Sequence, residues 1–259
     1  AFALARLALG LTAPASADWF QDARLGALYD DNLNRAQQPA DIRGDAAATL
    51  SATAGWFDAL SGADAITLAL NANAETYARF HGLNVVSAGA SASYRHKFGT
   101  GLTVPRLSVG ANYMHDVSRD DIRDGNRLDA HLELGQRFSD NFDASLGIGY
   151  DRRNARDGLA VVPGIPGNVF DLRGRRAFAR GAYDVTDRLQ LGANYAVRRG
   201  DVEATTRPNF DIFEASDAIA PDPTFGADFF AYRLRGTTRT VLSGRTEDRC
   251  DDASYRMAS

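Results

Sequence analysis

The chain has 259 residues and a formal net charge of −4, from 29 Lys and Arg against 33 Asp and Glu. This near-neutral balance argues against a nucleic-acid-binding protein, and a single cysteine excludes an intrachain disulfide framework and a multi-cysteine zinc site. No stretch approaches the roughly 18 apolar residues of a membrane-spanning helix. Crossing a membrane with strands stays open, because only every second strand residue then meets lipid.

Residues 1–17 are small and apolar and end on Ala15-Ser16-Ala17, which is typical of a signal-peptide cleavage site. We interpret them as the remnant of a secretory signal peptide, with a short amphipathic helix of the mature protein as the alternative. Export is consistent with the scarcity of cysteine, since stray thiols are liabilities in an oxidising periplasm. Residues 18–259 are then expected to form one domain.

From residue 23 onward, apolar and polar residues alternate with a period of two, which predicts strands rather than helices. In 142–153, for example, Leu146 and Ile148 share one face and Asp143 and Asp151 the other. The predicted strands cover 23–33, 45–59, 64–80, 85–98, 105–117, 127–138, 142–154, 171–185, 188–199 and 228–243, with a short eleventh strand at 253–257. Most exceed the usual five or six residues of soluble sheets and match the roughly 9–11 residues that cross a bilayer.

The connections alternate in length along the chain. Short turns are predicted at 61–63, 99–104, 139–141 and 186–188, and longer loops at 34–44, 118–126, 155–170 and 200–227, with 81–84 as a short exception. Transmembrane barrels have short periplasmic turns and longer extracellular loops. With a periplasmic N-terminus, every long loop falls on the extracellular side.

Aromatic residues on the apolar faces gather near the strand ends, with aliphatic residues between them. Next to the short turns are Trp56, Phe98, Phe138, Phe142 and Tyr183, and toward the long loops are Tyr29, Phe80, Tyr113, Tyr150, Tyr195, Phe230 and Tyr232. Two aromatic girdles around an aliphatic band favour a lipid-facing surface. The alternative is a soluble β-sandwich or barrel in which the same apolar faces form the core.

This combination of signal-like start, girdles and loop rhythm resembles the Gram-negative outer-membrane β-barrel superfamily of porin-like proteins, over nearly all of 18–259. The segment YDDNLNRA at 29–36 is similar to the opening of barrels in the surface-lipoprotein-assembly class. That class carries an N-terminal helical repeat domain, which does not fit before the first strand, so its export function is not transferred.

The resemblance implies an all-β, antiparallel transmembrane barrel of about 12 strands in the intact protein, of which 10–11 are present here. It also implies the bacterial outer membrane as location, and outer-membrane lipid and lipopolysaccharide as partners. Such barrels have an even strand number and usually end in an aromatic residue, whereas this chain ends Met257-Ala258-Ser259. We therefore expect a C-terminal truncation that removes a returning strand.

The polar faces carry charges of both signs, which require water or ion pairing in the interior. The residues predicted to line the lumen and set its selectivity are Glu75, Arg95, Lys97, Asp129, Glu133, Arg137, Arg153, Arg198, Arg233, Arg235 and Arg239. The last three are predicted as a cationic ladder on the inner face of one strand. Its functional interpretation is an anion-selective path, and the alternative is cross-strand pairing with carboxylates.

Enzymatic chemistry is not predicted. His131 and Glu133 could be an acid/base pair or metal ligands, but no third ligand is identifiable and a lumen salt link is the simpler interpretation. The common nucleophile, zinc and phosphate motifs are absent, so no catalytic residue, metal or cofactor is assigned. The first hypothesis is a monomeric, narrow, porin-like passage for small polar or anionic solutes. The second is a structural or adhesion barrel with a plugged lumen that works through its extracellular loops.

Overall fold

The fold is a single antiparallel β-sheet with almost no helix. A computed structural model describes residues 5–8, 19–156, 158–186 and 189–247, and only the backbone of 5–8 and 242–247. The strands are β1 (Ala5–Ala8), β2 (Trp19–Asp30), β3 (Asp45–Asp58), β4 (Asp64–Tyr77), β5 (Val85–Lys97), β6 (Arg106–Ser118), β7 (Gly125–Ser139), β8 (Phe142–Ala155), β9 (Leu172–Asp184), β10 (Leu189–Thr206), β11 (Ala218–Pro221) and β12 (Phe230–Glu247). Within these residues the one α-helix, α1 (Phe210–Ala215), has six residues, and none of the described helical segments is long and apolar enough to span a membrane.

The eleven strands from β2 to β12 form a meander with one exception near its end. Each strand pairs with the next as far as β10, β10 then pairs with β12, and the short β11 pairs with the other edge of β12. At the opposite edge, β1 pairs with residues 24–27 of β2. Among the described strands the two edges of the sheet are not paired with each other, so the sheet is not closed.

The ten long strands predicted from the sequence are confirmed as β2–β10 and β12. Two differences stand out: β10 continues seven residues beyond its predicted end at 199, and β11 was not predicted. The proposed eleventh strand at 253–257 lies outside the described residues, as does the predicted signal peptide apart from Ala5–Ala8. The all-β, antiparallel class is confirmed.

The two faces of the sheet differ sharply in chemistry. We call the face that carries Asn71, Asp129 and Asp151 the inner face, because the interior cavity described below opens on it. On the other, outer face the aliphatic side chains are uncovered: Leu146 is 67% exposed and Ile148 61%. A soluble sandwich would bury these side chains as its core, so the structure does not support that alternative.

Apolar cores do exist, but they are small and lie at the end of the sheet that bears the long loops. One contains Val169, Phe170, Ala218, Ala220 and Ala231, and the other Ile212, Ile219 and Tyr232. Both are built by β11, β12 and the segments that surround them. The remaining outer face has no layer packed against it in the described chain.

The sheet is curled, because residues from distant strands meet at the loop-bearing end. The backbone N–H of Thr205, in β10, donates to the carbonyl of Asn34, in the loop after β2, at 2.8 Å. The Asn34 side chain donates back to the carbonyl of Thr205 at 2.7 Å. This contact brings the first hairpin loop beside the last long strands and encloses the space on the inner face.

Candidate functional site

The inner face of β6–β10 is organised by ion pairs that skip a strand. Arg198 of β10 contacts Asp151 of β8 at 2.5 Å, and Arg176 of β9 contacts Asp129 of β7 at 2.9 Å. Two further pairs, Arg180–Glu133 at 3.0 Å and Arg106–Asp143 at 2.7 Å, follow the same rule. The first three pairs each join residues that are 47 positions apart in the sequence.

Glycines on the intervening strands make these pairs possible. A Cβ atom on Gly174 would lie 2.5 Å from the Arg198 guanidinium, and one on Gly149 would lie 2.7 Å from Nε of Arg176. Real Cβ atoms do not approach other atoms so closely, so the long arginine side chains cross the sheet surface only where the side chain below them is missing. The result is a wall whose charges are neutralised in place.

The wall made by β3–β5 is polar but carries few charges. Asn71 accepts a hydrogen bond from Thr53 at 3.1 Å and donates one to Ser91 at 3.0 Å. Neighbouring inner positions are occupied by Thr49, Ser51, Asn73 and Ser87. Hydroxyl and amide groups can exchange protein partners for water at low cost, so this side of the interior is suited to hydrated solutes.

A cavity of about 380 Å³ lies between the two walls at the loop-bearing end. Its charged lining residues are Arg35, Glu75, Asp116, Arg123, Arg127, Arg153 and Glu203. Arg127 pairs with Asp116 at 2.7 Å, and Glu203 is shared by Arg123 and Arg35 at 3.3 Å each. Most of the lining charge is therefore engaged within the protein.

Residues 207–229, which we call the mouth segment, lie at the loop-bearing end and reach this cavity through Phe225, one of its lining residues. The mouth segment contacts each of the four other connections at this end, those after β2, β4, β6 and β8, through a different residue. Arg207 pairs with Asp41 at 3.0 Å, and the ring of Phe225 lies 4.9 Å from that of Phe80. The remaining two contacts are a hydrogen bond from Thr224 to Asp120 at 2.8 Å and one from the Ile219 N–H to the Pro166 carbonyl at 2.9 Å.

Two carboxyl groups at the mouth have pKa values that are shifted in opposite directions. The hydrogen bond from the Thr206 hydroxyl lowers the pKa of Asp41, burial opposes it, and the backbone N–H and charge of Arg207 lower it further. Burial raises the pKa of Asp222, although its ion pair with Arg123 and its hydrogen bond from Thr205 oppose that shift. The surroundings of Asp41 thus favour its ionised form, whereas burial disfavours the ionised form of Asp222.

Several predicted lumen residues lie on the inner face, and most are engaged. Asp129, Glu133 and Arg198 belong to the strand-skipping pairs described above. Glu75 accepts a hydrogen bond from the Tyr77 hydroxyl at 3.1 Å, and Arg137 donates to the Asp140 carbonyl at 2.8 Å.

Three predicted lumen cations that do lie on the inner face lack a carboxylate partner in the described part of the chain. Arg153 donates to the Arg123 carbonyl at 2.5 Å, while its Nε atom is buried without a partner. The side chains of Arg95 and Lys97 lie on the inner face near the short-turn end and make no ion pair among the described residues. These three residues are the remaining candidates for an electrostatic influence on a solute.

The predicted inner-face ladder of Arg233, Arg235 and Arg239 is wrong. In the pairing of β12 with β10, Arg235 lies opposite Asp201 and Arg239 opposite Val197, which are outer-face positions, while Gly236 and Thr238 share the inner face with Arg198. The Arg235 side chain is 72% exposed. Arg233 is held at the loop-bearing end by Asp217 at 2.6 Å.

The inner and outer faces of β12 were assigned the wrong way round because the residues of a local apolar core alternate in the same way as the residues of a lipid-facing strand. Phe230, Tyr232 and Leu234 alternate as a girdle strand would, but they pack against Ile212 and Ile219 of the mouth segment. Phe80, also predicted as a girdle residue, instead contacts Phe225. These aromatic residues are covered by protein.

The other predicted girdle residues are on the outer face. Near the short turns lie Trp56, Phe98, Phe138, Phe142 and Tyr183, and toward the loops lie Tyr29, Tyr113, Tyr150 and Tyr195. All are exposed except Trp56, which is half-buried opposite Trp19.

The combination of His131 and Glu133 is not brought together as a reactive pair. Glu133 is engaged by Arg180, and the His131 ring lies over Gly110, where a Cβ atom would be 2.7 Å from it. In the portion of the chain that the structure describes, no group of three or more His, Cys, Asp or Glu side chains could hold a metal ion.

Sequence reasoning missed the strand-skipping pairs and the mouth contacts. The sequence does contain a signal for the strand-skipping pairs. Glycines recur on the polar faces of the predicted strands, and three arginines each follow a carboxylate by 47 positions. The mouth contacts, such as Arg123 with Asp222, join loop residues 99 positions apart, and no local pattern predicts which loop residues meet.

Comparisons with models of known protein families, with curated proteins and with solved structures find no match to this chain. The functional conclusion therefore depends on the geometry of the chain itself.

Proposed function

We propose that this chain is an outer-membrane-type β-barrel protein with a covered mouth, which works through its loop-bearing end rather than as an open pore. The observation that carries the proposal is the mouth segment, which contacts the connections after β2, β4, β6 and β8 and reaches the interior cavity through Phe225. The strand-skipping ion pairs support it, because paired guanidinium groups are not available to attract a passing anion.

Membrane insertion is supported by the uncovered outer face. Leucine, isoleucine and valine side chains lie outward along the strands, and tyrosines and phenylalanines lie near the strand ends. A contiguous apolar surface of this extent is unusual for a soluble monomer, whereas a lipid-facing barrel surface has this composition. The partner surfaces of this proposal are outer-membrane lipid and lipopolysaccharide around the strands.

A second candidate function is a narrow passage for small polar or anionic solutes. It is favoured by the hydroxyl- and amide-lined wall of β3–β5 and by Arg95 and Lys97, whose charges are unpaired among the described residues. In this alternative the mouth segment moves to admit solute.

Conductance in planar bilayers tests the two candidates. The covered-mouth proposal predicts that the refolded full chain inserts but conducts little, and that the double variant Asp41→Asn/Arg207→Gln, which loosens the mouth segment, conducts more. The exposed pair Arg156–Asp121 provides a matched control, R156Q/D121N, which should leave conductance unchanged. Steady wild-type conductance whose anion selectivity falls in R95Q/K97Q would establish the passage instead, and failure to insert into any bilayer would overturn both.

A further inference from the structure

Six arginines form a cluster on the outer face of β8, β9, β10 and β12, five of them toward the loop-bearing end and Arg239 near the middle of β12. We call it the outer arginine patch: Arg152, Arg173, Arg175, Arg199, Arg235 and Arg239. Each occupies an outward position in the strand register, and each is exposed. The corresponding outward positions of β2–β7 carry no arginine or lysine, so the patch belongs to one side of the molecule.

The patch is not neutralised by the protein. Arg152 lies directly opposite Arg173, and Arg175 directly opposite Arg199. Side chains at such positions are about 5 Å apart at Cβ, and like charges there are unfavourable. Asp201 is the carboxylate within the patch, and it is 3.7 Å from both Arg173 and Arg235.

Three of the six guanidinium groups have no partner in the described part of the chain. The guanidinium groups of Arg175, Arg199 and Arg239 make no ion pair or hydrogen bond with the described residues, and all three residues are exposed. Arginines placed side by side without carboxylates need an anion from outside the chain. The planar guanidinium group binds phosphate oxygens in a bidentate manner, which an ammonium group cannot do.

The position of the patch indicates where that anion lies. Along β8 the outward residues run Leu146, Ile148, Tyr150 and Arg152 toward the loops. Aliphatic residues, then tyrosine, then arginine is the order expected from the hydrocarbon region through the interface to the headgroups.

We infer that the outer arginine patch binds the phosphate groups of an anionic lipid headgroup in the loop-side leaflet. This inference rests on the membrane insertion proposed above. The site takes phosphate esters at a membrane surface, and one lipid that carries two phosphates would span neighbouring arginines.

The test uses the refolded full chain in neutral detergent micelles, titrated with lipid A as a bis-phosphorylated glycolipid probe. Binding is measured as phosphorus retained with the protein after gel filtration. The patch variant is R175Q/R199Q, which breaks no ion pair among the described residues. The matched control is R119Q/R156Q, which removes the same charge from exposed loop arginines outside the patch.

We expect the wild type and the control to bind alike and the patch variant to bind about 30-fold more weakly, the effect of two arginines near an anionic surface. Equal binding by the patch variant and the control would overturn the inference. If inorganic phosphate competes fully with lipid A, the ligand of the patch is a free anion. If an acidic peptide binds saturably in place of lipid A, the ligand is a protein partner. Either result overturns the lipid assignment.

Insertion into vesicles of phosphatidylcholine alone separates this inference from the proposed function. If both variants insert but neither differs from wild type in lipid A binding, only the patch assignment fails. If none of the proteins inserts, the membrane proposal fails and the patch inference with it.

Discussion

Arg123 and Asp222 form a 2.5 Å ion pair in which the side chains are only 8% and 0% exposed. Arg123 belongs to the turn after β6 and lines the cavity, and Asp222 belongs to the mouth segment. This pair therefore attaches the mouth segment to the wall of the cavity. The Arg123 guanidinium also lies 4.3 Å from the centre of the Phe170 ring. One side chain thus links the mouth segment, β10 through Glu203 and the loop after β8.

Removing this cation should destabilise the protein strongly. We expect Arg123→Gln to lower the free energy of unfolding by about 3–5 kcal/mol, because Asp222 is left buried without a cation. Urea unfolding in detergent, followed by tryptophan fluorescence, measures the change. The exposed pair Arg156–Asp121, with side chains 67% and 70% exposed, is the control: R156Q should cost at most about 1 kcal/mol. Equal effects of the two variants would contradict the role of Arg123.

A methyl group at Gly174 should break the Arg198–Asp151 pair. The Cβ atom would lie 2.5 Å from the guanidinium, so Gly174→Ala is expected to cost about 1–3 kcal/mol through overpacking. Gly192→Ala, on the inner face of β10, meets nothing within 4 Å and should be neutral. The same unfolding measurement applies to both variants.

A double-mutant cycle identifies the cause of the Gly174→Ala effect. In an Asp151→Asn background the ion pair is already lost, so the alanine should cost less than it does in the wild type. An unchanged cost would mean that the methyl group acts through backbone crowding rather than through the pair.

Closure of the mouth should weaken in acid. The pKa of Asp41 is lowered from its ordinary value of 3.8, so ionised Asp41 stabilises the closed mouth above that value, and the contribution is lost as the pH falls through the lower, folded-state pKa. Asp222 acts in the opposite sense, because its raised pKa makes protonation favourable to the folded state. Amide hydrogen exchange of residues 207–229, followed from neutral pH down through the pKa of Asp41, measures the net effect of the two carboxyl groups.

The variant Asp41→Asn isolates the first of these groups. It should show weaker protection of the mouth segment at neutral pH and should not lose further protection in acid as the wild type does. A pH profile identical to that of the wild type would exclude Asp41 as the titrating group.

The environment of the outer face can be tested with one charge. In a bilayer we expect Leu146→Arg to cost about 2–4 kcal/mol, as arginine does near the midplane of a barrel protein. Leu159→Arg places the same charge on a loop residue that is already 87% exposed and should be close to neutral. If both substitutions are equally neutral in vesicles, the outer face is in water and the membrane proposal fails.

The period-two alternation by itself determined the strands and the chemistry of the two faces, and the short connections determined their antiparallel order. Leu146 and Ile148 are outward, and Asp129 and Asp151 inward, because alternate side chains of a strand point to opposite faces. The alternation of short turns and long loops was likewise readable, since the turn length is a local property.

The tertiary structure decided which apolar strand residues are covered and which charges meet. Phe230 and Tyr232 have the pattern of a lipid-facing strand, yet the mouth segment packs over them, and this reverses the face on which Arg235 and Arg239 lie. The pairing of Arg198 with Asp151 across Gly174, and of Arg123 with Asp222, depends on strand register and loop position. Those are set by the curl of the whole sheet, because contacts between residues so far apart in the chain carry no local signature.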